Sequence, residues 1–228
     1  MLHTTSVHEP RPQRSPGPPR SGRRRVVVAL EQLALDFASG ARRWTFSRNI
    51  AGSPHQARIV ERLEFVRRFF PELDGVTIHV GQAMKRGILG WGSMDPERPG
   101  IWVRPRRLAY FTIAHELTHL LQARGLAPVG ERACDLWALA RSALVIDVPP
   151  CYLRLPRAIR NRRALDPSMS SLLHRVACAA LERRAAGNRR YLTSFERDVA
   201  DAFAARPWRR RAPGGAGDRS TTQLALVE

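Results

Sequence analysis

The sequence is poor in lysine, in acidic residues and in cysteine. Of its 38 basic side chains only Lys85 is a lysine, and 20 acidic residues leave a formal net charge of +18. The three cysteines, Cys134, Cys151 and Cys178, form no C-x-x-C pair, and their odd number argues against a disulfide framework and favours a reducing compartment such as the cytoplasm. No apolar run approaches the roughly 20 residues that a membrane-spanning helix needs, so we expect no membrane protein.

Both ends of the chain lack apolar periodicity. Residues 1–25 hold five prolines and six arginines against one acid, which predicts a disordered basic arm. Residues 206–228 have a similar composition and predict a disordered tail. Hydrophobic residues make up 43% of the chain, enough for a packed core. We therefore expect a folded domain over 26–150, followed by a basic helical region over 151–205.

The first apolar segment follows three consecutive arginines and is superficially similar to a twin-arginine export signal. Such a signal needs an uninterrupted apolar stretch of about 7–15 residues. Here Glu31 and Asp36 interrupt it, and the apolar residues recur with helical spacing. The pattern favours an amphipathic helix over about 26–40.

Helix and strand signals alternate further along the chain. Ser53 as N-cap, Pro54 in the first turn and Gln56 as the second member of a capping box predict the start of a helix. Alternating or glycine-punctuated apolar residues then predict short strands over 76–80, 88–94 and 101–103.

Proline and glycine residues in and around these strands give further information on them. Pro105 stops the strand over 101–103 and suits an edge strand, because proline cannot donate to a sheet. The glycines at 81, 87, 90 and 92 match no phosphate-binding loop. We interpret them as turn and bulge residues.

One segment, 115–119, reads H-E-L-T-H and lies in a stretch over 107–123 that is apolar on nearly all sides, which predicts a buried helix. Residues four apart lie one turn above each other, so His115 and His119 can bind one Zn²⁺ at roughly 2.0–2.1 Å. Glu116 is offset from both, and we expect it to be the general base toward a metal-activated water. Three titratable side chains in an apolar helix are costly without partners, which also favours a metal.

A catalytic zinc needs a third protein ligand. A helix predicted over about 130–145 contains three candidates for it. Glu131 is the expected ligand, and Asp135, one turn later, is expected to accept the outer N–H of His115. Cys134 is a rival, although a thiolate would reduce the Lewis acidity of an open zinc site. Asp135 as a direct ligand is a second rival.

This arrangement resembles the gluzincin type of zinc metallopeptidase. Residues 131–138, E-R-A-C-D-L-W-A, are similar to the E-x-x-A-[ND]-x-F-A helix of ImmA/IrrE-type metallo-endopeptidases. The resemblance implies an α+β, zincin-like fold in which a mixed sheet of about three strands packs on an active-site helix and a glutamate helix, with helical additions at both ends. It also implies that the edge strand, placed at 101–103, pairs with an extended protein or peptide substrate such as a DNA-bound repressor.

The positive charge lies mostly outside this segment. Residues 71–150 contain nine basic and eight acidic side chains, whereas 151–205 contain eleven arginines and five acids. Such a surface suits nucleic acid contacted through phosphates, although arginine-rich composition alone explains it equally well.

Two functions of different class follow. The first is a cytoplasmic zinc-dependent endopeptidase. The alternative is a nucleic-acid-associated regulatory or binding module on a zincin scaffold with little or no proteolysis. For the group that stabilises the oxyanion, residue type alone suggests Tyr152, His174 or Arg141.

Overall fold

A computed structural model describes residues 43–84 and 90–205 of the chain. The helix predicted over 26–40 and the two tails predicted to be disordered lie outside these residues. Among the described residues, no helix combines the length and the apolar character that crossing a membrane requires.

The described residues form a mixed α+β structure with a small four-stranded sheet. The strands are β1 (Trp44–Phe46), β2 (Ile78–Gln82), β3 (Gly90–Gly92) and β4 (Gly100–Val103), in the order β1-β2-β4-β3. The sheet is mixed, because β1–β2 and β2–β4 are parallel pairs and β3–β4 is antiparallel. The three predicted strands are present, and β1 is an addition that the sequence did not predict.

The prediction that 101–103 forms the edge strand is wrong. β4, which contains these residues, lies between β2 and β3, and β3 is the edge strand on that side of the described sheet. Pro105 begins a 3₁₀ turn, Pro105–Arg107, immediately after β4 and interrupts no pairing. Proline marks where a strand ends but carries no information on which strand lies beside it.

Six α-helices are present among the described residues. They are α1 (Gln56–Arg67), α2 (Tyr110–Ala123), α3 (Glu131–Arg141), α4 (Arg157–Arg160), α5 (Pro167–Ala185) and α6 (Tyr191–Ala204).

The predicted capping box at the start of α1 is wrong in detail. Ser53 is not the N-cap, since the helix begins at Gln56 and His55 precedes it without a side-chain cap. Gln56 Oε1 instead accepts a hydrogen bond from the Gly52 backbone N–H at 2.6 Å, which closes the turn before the helix.

The N-terminus of α2 is capped from a distance. Ala109 stands at the N-cap position and has no side chain to accept a hydrogen bond. The carboxylate of Asp147 does so instead, because its oxygens lie 2.9 Å from the Tyr110 nitrogen and 3.0 Å from the Phe111 nitrogen. Two otherwise unpaired N–H groups are thereby satisfied, and the negative charge lies at the positive end of the helix dipole.

Helix α2 lies at the centre of a continuous core. It packs against β3, β4, α1 and α3, and α3 in turn packs against α5. Leu117 in α2, Leu173 in α5 and Phe195 in α6 are fully buried members of the same hydrophobic cluster. The helices after residue 151 therefore complete the core that holds α2 and α3.

A partly buried ion pair links the last helix to α3. Glu196 in α6 accepts hydrogen bonds from Arg132 Nη2 at 2.7 Å and from the Arg154 backbone N–H at 2.8 Å. Arg132 is the residue next to Glu131, so α6 braces the N-terminal turn of α3.

Candidate metal centre

Two histidines face each other on the buried side of α2. His115 and His119 are one turn apart, and their ring centroids are 4.8 Å apart with the planes at 85°. Both rings are largely shielded from solvent, with side-chain exposures of 10% and 12%. The helical spacing thus directs both rings into one site, as the sequence predicts.

An outer hydrogen bond orients His115. Asp135 Oδ1 lies 2.8 Å from His115 Nδ1, and Asp135 Oδ2 accepts the Tyr152 backbone N–H at 2.7 Å. Asp135 is almost fully buried, at 1% exposure. A carboxylate only accepts, so Nδ1 carries the proton and the lone pair of Nε2 points inward.

A second outer hydrogen bond orients His119. Gln122 Oε1 lies 2.8 Å from His119 Nδ1. The amide orientation is determined by its other end, because Gln122 Nε2 donates to the carbonyls of Pro128 at 2.6 Å and Gly130 at 3.1 Å. Oε1 is therefore the acceptor, and the Nε2 lone pair of His119 also points inward. Gln122 is not among the residues predicted from the sequence, although its position one turn after His119 is a signal for it.

Glu131 meets both inward nitrogens. Its Oε2 atom lies 3.1 Å from His115 Nε2 and 3.4 Å from His119 Nε2. Gly130, with φ of 112°, lets the chain turn sharply into α3 immediately before this residue. Three acceptor atoms therefore converge, an arrangement that needs a positive charge between them, either protons or a cation.

The spacing of these atoms fits a metal. Ligands at about 2.0–2.1 Å from a tetrahedral zinc ion are roughly 3.3 Å from each other. The distances from Glu131 Oε2 to the two ring nitrogens bracket that value. The residues present therefore fit a His-His-Glu zinc site.

Cys134 belongs to an alternative donor set. Its sulfur and one ring nitrogen from each of His115 and His119 lie within 4.8 Å of one another. The thiol donates to the His115 carbonyl oxygen at 3.1 Å, and burial strongly raises its pKa. We favour Glu131, because its Oε2 lies 3.1 and 3.4 Å from the two inward nitrogens, whereas the Cys134 thiol is engaged as a donor to a backbone carbonyl.

Glu116 lies beside His115 and His119 but is not one of the expected metal ligands. It is 4% exposed, and its Oε2 accepts no hydrogen bond from any described residue. Burial raises its pKa to about 8, although the neighbouring His115 acts in the opposite direction. An unsatisfied buried carboxyl oxygen is costly unless a ligand or a cation approaches it.

The pKa values of the two histidines depart in opposite directions from that of an ordinary histidine. Burial opposes protonation of His115, but the hydrogen bond and charge of Asp135, with Glu116 and Glu131, raise its pKa overall. Burial and the charge of His115 lower the pKa of His119. Without a metal, the first proton therefore occupies His115.

The edge strand β3 passes directly over Glu116. A Cβ added at Gly90 would lie 2.8 Å from Glu116 Cδ, and one added at Gly92 would lie 2.7 Å from His119 Cβ. These glycines are strand residues in close contact with α2, so the interpretation as turn and bulge residues is wrong. Any side chain here would displace the groups of the site.

Of the three residues suggested by type for the oxyanion, the structure brings one to the site. The Tyr152 ring stacks on the His115 ring, with centroids 5.5 Å apart and planes at 17°. His174 Nδ1 is hydrogen-bonded to the Leu139 carbonyl at 2.8 Å, and Arg141 is paired with Glu72 at 2.7 Å. The latter two are engaged elsewhere in the fold.

Comparison of the chain with protein-family models, with curated proteins and with solved structures finds no match. The chemistry of the site itself is therefore what supports a function.

Proposed function

We propose that this protein is a zinc-dependent endopeptidase. The convergence of His115 Nε2, His119 Nε2 and Glu131 Oε2 supports this proposal most directly. Two ring nitrogens and one carboxylate with an open fourth position are the donor set of catalytic zinc sites, whereas structural sites are closed by four protein ligands.

Zinc bound there would supply a Lewis acid for the peptide carbonyl and lower the pKa of a water molecule. Asp135 and Gln122 hold the two rings in the tautomer that binds a cation. In the neutral ring these hydrogen bonds place the single proton on the outer nitrogen, so the inward nitrogen has the lone pair that a metal ligand requires.

Glu116 is the general base and then the general acid. Its carboxylate takes a proton from the attacking water as the new C–O bond forms. The same carboxyl then delivers that proton to the amide nitrogen as the C–N bond breaks. A buried carboxyl with a raised pKa is suited to holding a proton between the two steps.

The strand β3, beside Glu116, has backbone groups with which an extended peptide can pair. The Ser93 N–H donates to the Gly100 carbonyl at 2.8 Å, so Ser93 and, two residues earlier, Trp91 direct their backbone groups toward β4. Gly90 and Gly92 therefore direct theirs toward the edge that no described strand covers. Strand addition there would place a substrate along the site.

The proposal includes the finer fold and family expected from the sequence, a zincin-like domain related to ImmA/IrrE-type endopeptidases. The order of elements supports it, because a mixed sheet is followed by α2 with the two histidines and by α3 with Glu131. Three thiols without a disulfide partner suit a cytoplasmic location.

The Glu116→Gln variant tests the proposal. With unfolded casein as the probe, we expect cleavage to fall by at least a hundredfold while zinc content, measured by elemental analysis, stays equimolar. The matched control is Glu61→Gln, which alters an exposed carboxyl on α1 and leaves both readings unchanged. Equal cleavage by wild type and Glu116→Gln, or no cleavage by either, contradicts a peptidase.

A second candidate function, a nucleic-acid-associated module, is favoured by the C-terminal surface. Arg157, Arg160 and Arg163 are exposed and make no ion pair with any described residue. Phosphate binding by such residues weakens linearly with the logarithm of salt concentration. Replacing the three arginines with glutamine should flatten that salt dependence for a DNA duplex. An unchanged slope would show that these arginines do not contact the phosphates.

A further inference from the structure

Two tryptophans form a stacked pair on the face of the sheet that points away from α2. Trp91 on β3 lies directly opposite Trp102 on β4, and their ring centroids are 4.5 Å apart with planes at 29°. Trp91 is 57% exposed. We call these two residues the aromatic shelf.

The neighbouring strand is shaped to hold this shelf. Gly81 on β2 is in register with Trp102, and a Cβ there would lie 3.1 Å from Trp102 Cγ. The missing side chain lets the Trp102 ring lie close over β2, with Trp91 stacked on it at the edge of the sheet. His79, on the same face, has its ring 6.1 Å from that of Trp102.

The shelf and the metal centre lie on opposite faces of one edge strand. Gly90 and Gly92 face Glu116 and His119, and side chains alternate along a strand, so Trp91 faces the other way. In a peptide added to β3, the residue opposite Trp91 would have its Cβ about 4.5–5.5 Å from that of Trp91. Its two neighbours would project toward α2.

We propose that the aromatic shelf selects substrates that carry a large apolar or aromatic side chain opposite Trp91. The inference rests on the proposed endopeptidase function and adds its substrate class. Cross-strand aromatic pairs contribute enough to favour such peptides roughly threefold to tenfold.

A peptide fits this surface better than a nucleobase or a second copy of the chain. The outward backbone groups of Gly90 and Gly92 flank Trp91 at the spacing of a strand, which a peptide matches in register. A base could stack on Trp91 but would leave those backbone groups without partners. A second copy would cover the metal centre with its own edge strand.

The cleavage test uses a mixture of ten-residue peptides degenerate at every position. We expect wild type to enrich large apolar residues at one fixed distance from the cleaved bond. Trp91→Ala should reduce that enrichment by roughly threefold to tenfold, and Trp91→Phe should retain it. Leu144→Ala, which truncates an exposed apolar side chain on another element, is the matched control. Undiminished enrichment in Trp91→Ala overturns the proposal.

A binding arm separates this inference from the peptidase function. Two further mixtures carry either tryptophan or alanine at the fifth position and are titrated by calorimetry. A preference for tryptophan that Trp91→Ala loses supports the shelf even if nothing is cleaved, and equal binding overturns it. Trp91-dependent binding of a thymidine oligonucleotide, or Trp91-dependent dimerisation in sedimentation, overturns it in favour of those partners.

Discussion

The backbone of Gly90 lies directly against the carboxyl group of Glu116. A Cβ at this position would come within 2.8 Å of Glu116 Cδ, closer than nonbonded carbon atoms approach. A Cβ added at Gly92 would likewise lie 2.7 Å from the Glu116 backbone oxygen. β3 and α2 are therefore as close as glycine allows, which places a strand whose outer edge no described strand covers beside the proposed base.

The two glycines give a matched pair of variants. Gly90→Ala meets the end of a flexible side chain, so we expect it to displace Glu116 and reduce cleavage at least tenfold with little loss of stability. Gly92→Ala meets backbone and Cβ atoms that cannot rotate away, so it should also reduce the free energy of unfolding by about 1–3 kcal/mol. Urea unfolding and casein cleavage measure both. Equal stability of the two variants would contradict this packing.

Replacing each rival donor distinguishes the two metal sets. Glu131→Gln should lower zinc affinity at least a hundredfold, because losing a direct ligand exceeds the 10–100-fold loss typical of outer partners. Cys134→Ser should change zinc affinity by less than threefold, since its thiol donates to the His115 carbonyl. Competition with a chromophoric chelator measures both affinities. The reverse order would assign the third ligand to Cys134.

Zinc affinity should fall as the solution becomes more acidic. The pKa of His115 is raised, so a proton competes for its Nε2 at a higher pH than in an ordinary histidine, and each unit below that pKa costs up to about tenfold in affinity. Asp135→Asn removes the group that raises this pKa most. The variant should bind zinc 10–100-fold more weakly at pH 8 yet begin to lose affinity at lower pH. Titrations between pH 6 and 8.5 show whether the two curves differ in this way.

Asp147 should stabilise α2, the helix that contains His115 and His119. Asp147→Ala removes both acceptors from the first turn of α2, and we expect the free energy of unfolding to fall by about 1–2 kcal/mol. Asp147→Asn keeps one carbonyl oxygen and should lose less. Asp74→Ala, which removes an exposed carboxylate 3.8 Å from Arg67, serves as the control and should cost less than 1 kcal/mol. An Asp147→Ala variant as stable as this control would show that the cap is dispensable.

Much of the proposed metal centre could be predicted because it depends on local geometry. His115 and His119 converge since a helix repeats every 3.6 residues, and Glu131 and Asp135 follow the same rule on the next helix. Asp135 was expected to orient His115, and the structure has the two within hydrogen-bond distance. The role of Glu131 as a zinc ligand stays a prediction.

The parts that were missed depend on contacts between distant segments. β1 is only three residues long, and its pairing with β2 defines it more than its own side chains do. β4 lies between β2 and β3 although β3 precedes it in the chain, and no local pattern encodes that order. Asp147 caps a helix that begins 37 residues earlier, which spacing along the sequence does not reveal.

Gln122 joins His119 to the carbonyls of Pro128 and Gly130 in the loop before Glu131. The proposed donors thus occupy one short helical hairpin with low contact order, held at its bend by a single amide. Closing so short a loop costs little chain entropy. Zinc, bound as proposed, would therefore draw its ligands from a unit that can form before the sheet and the C-terminal helices assemble.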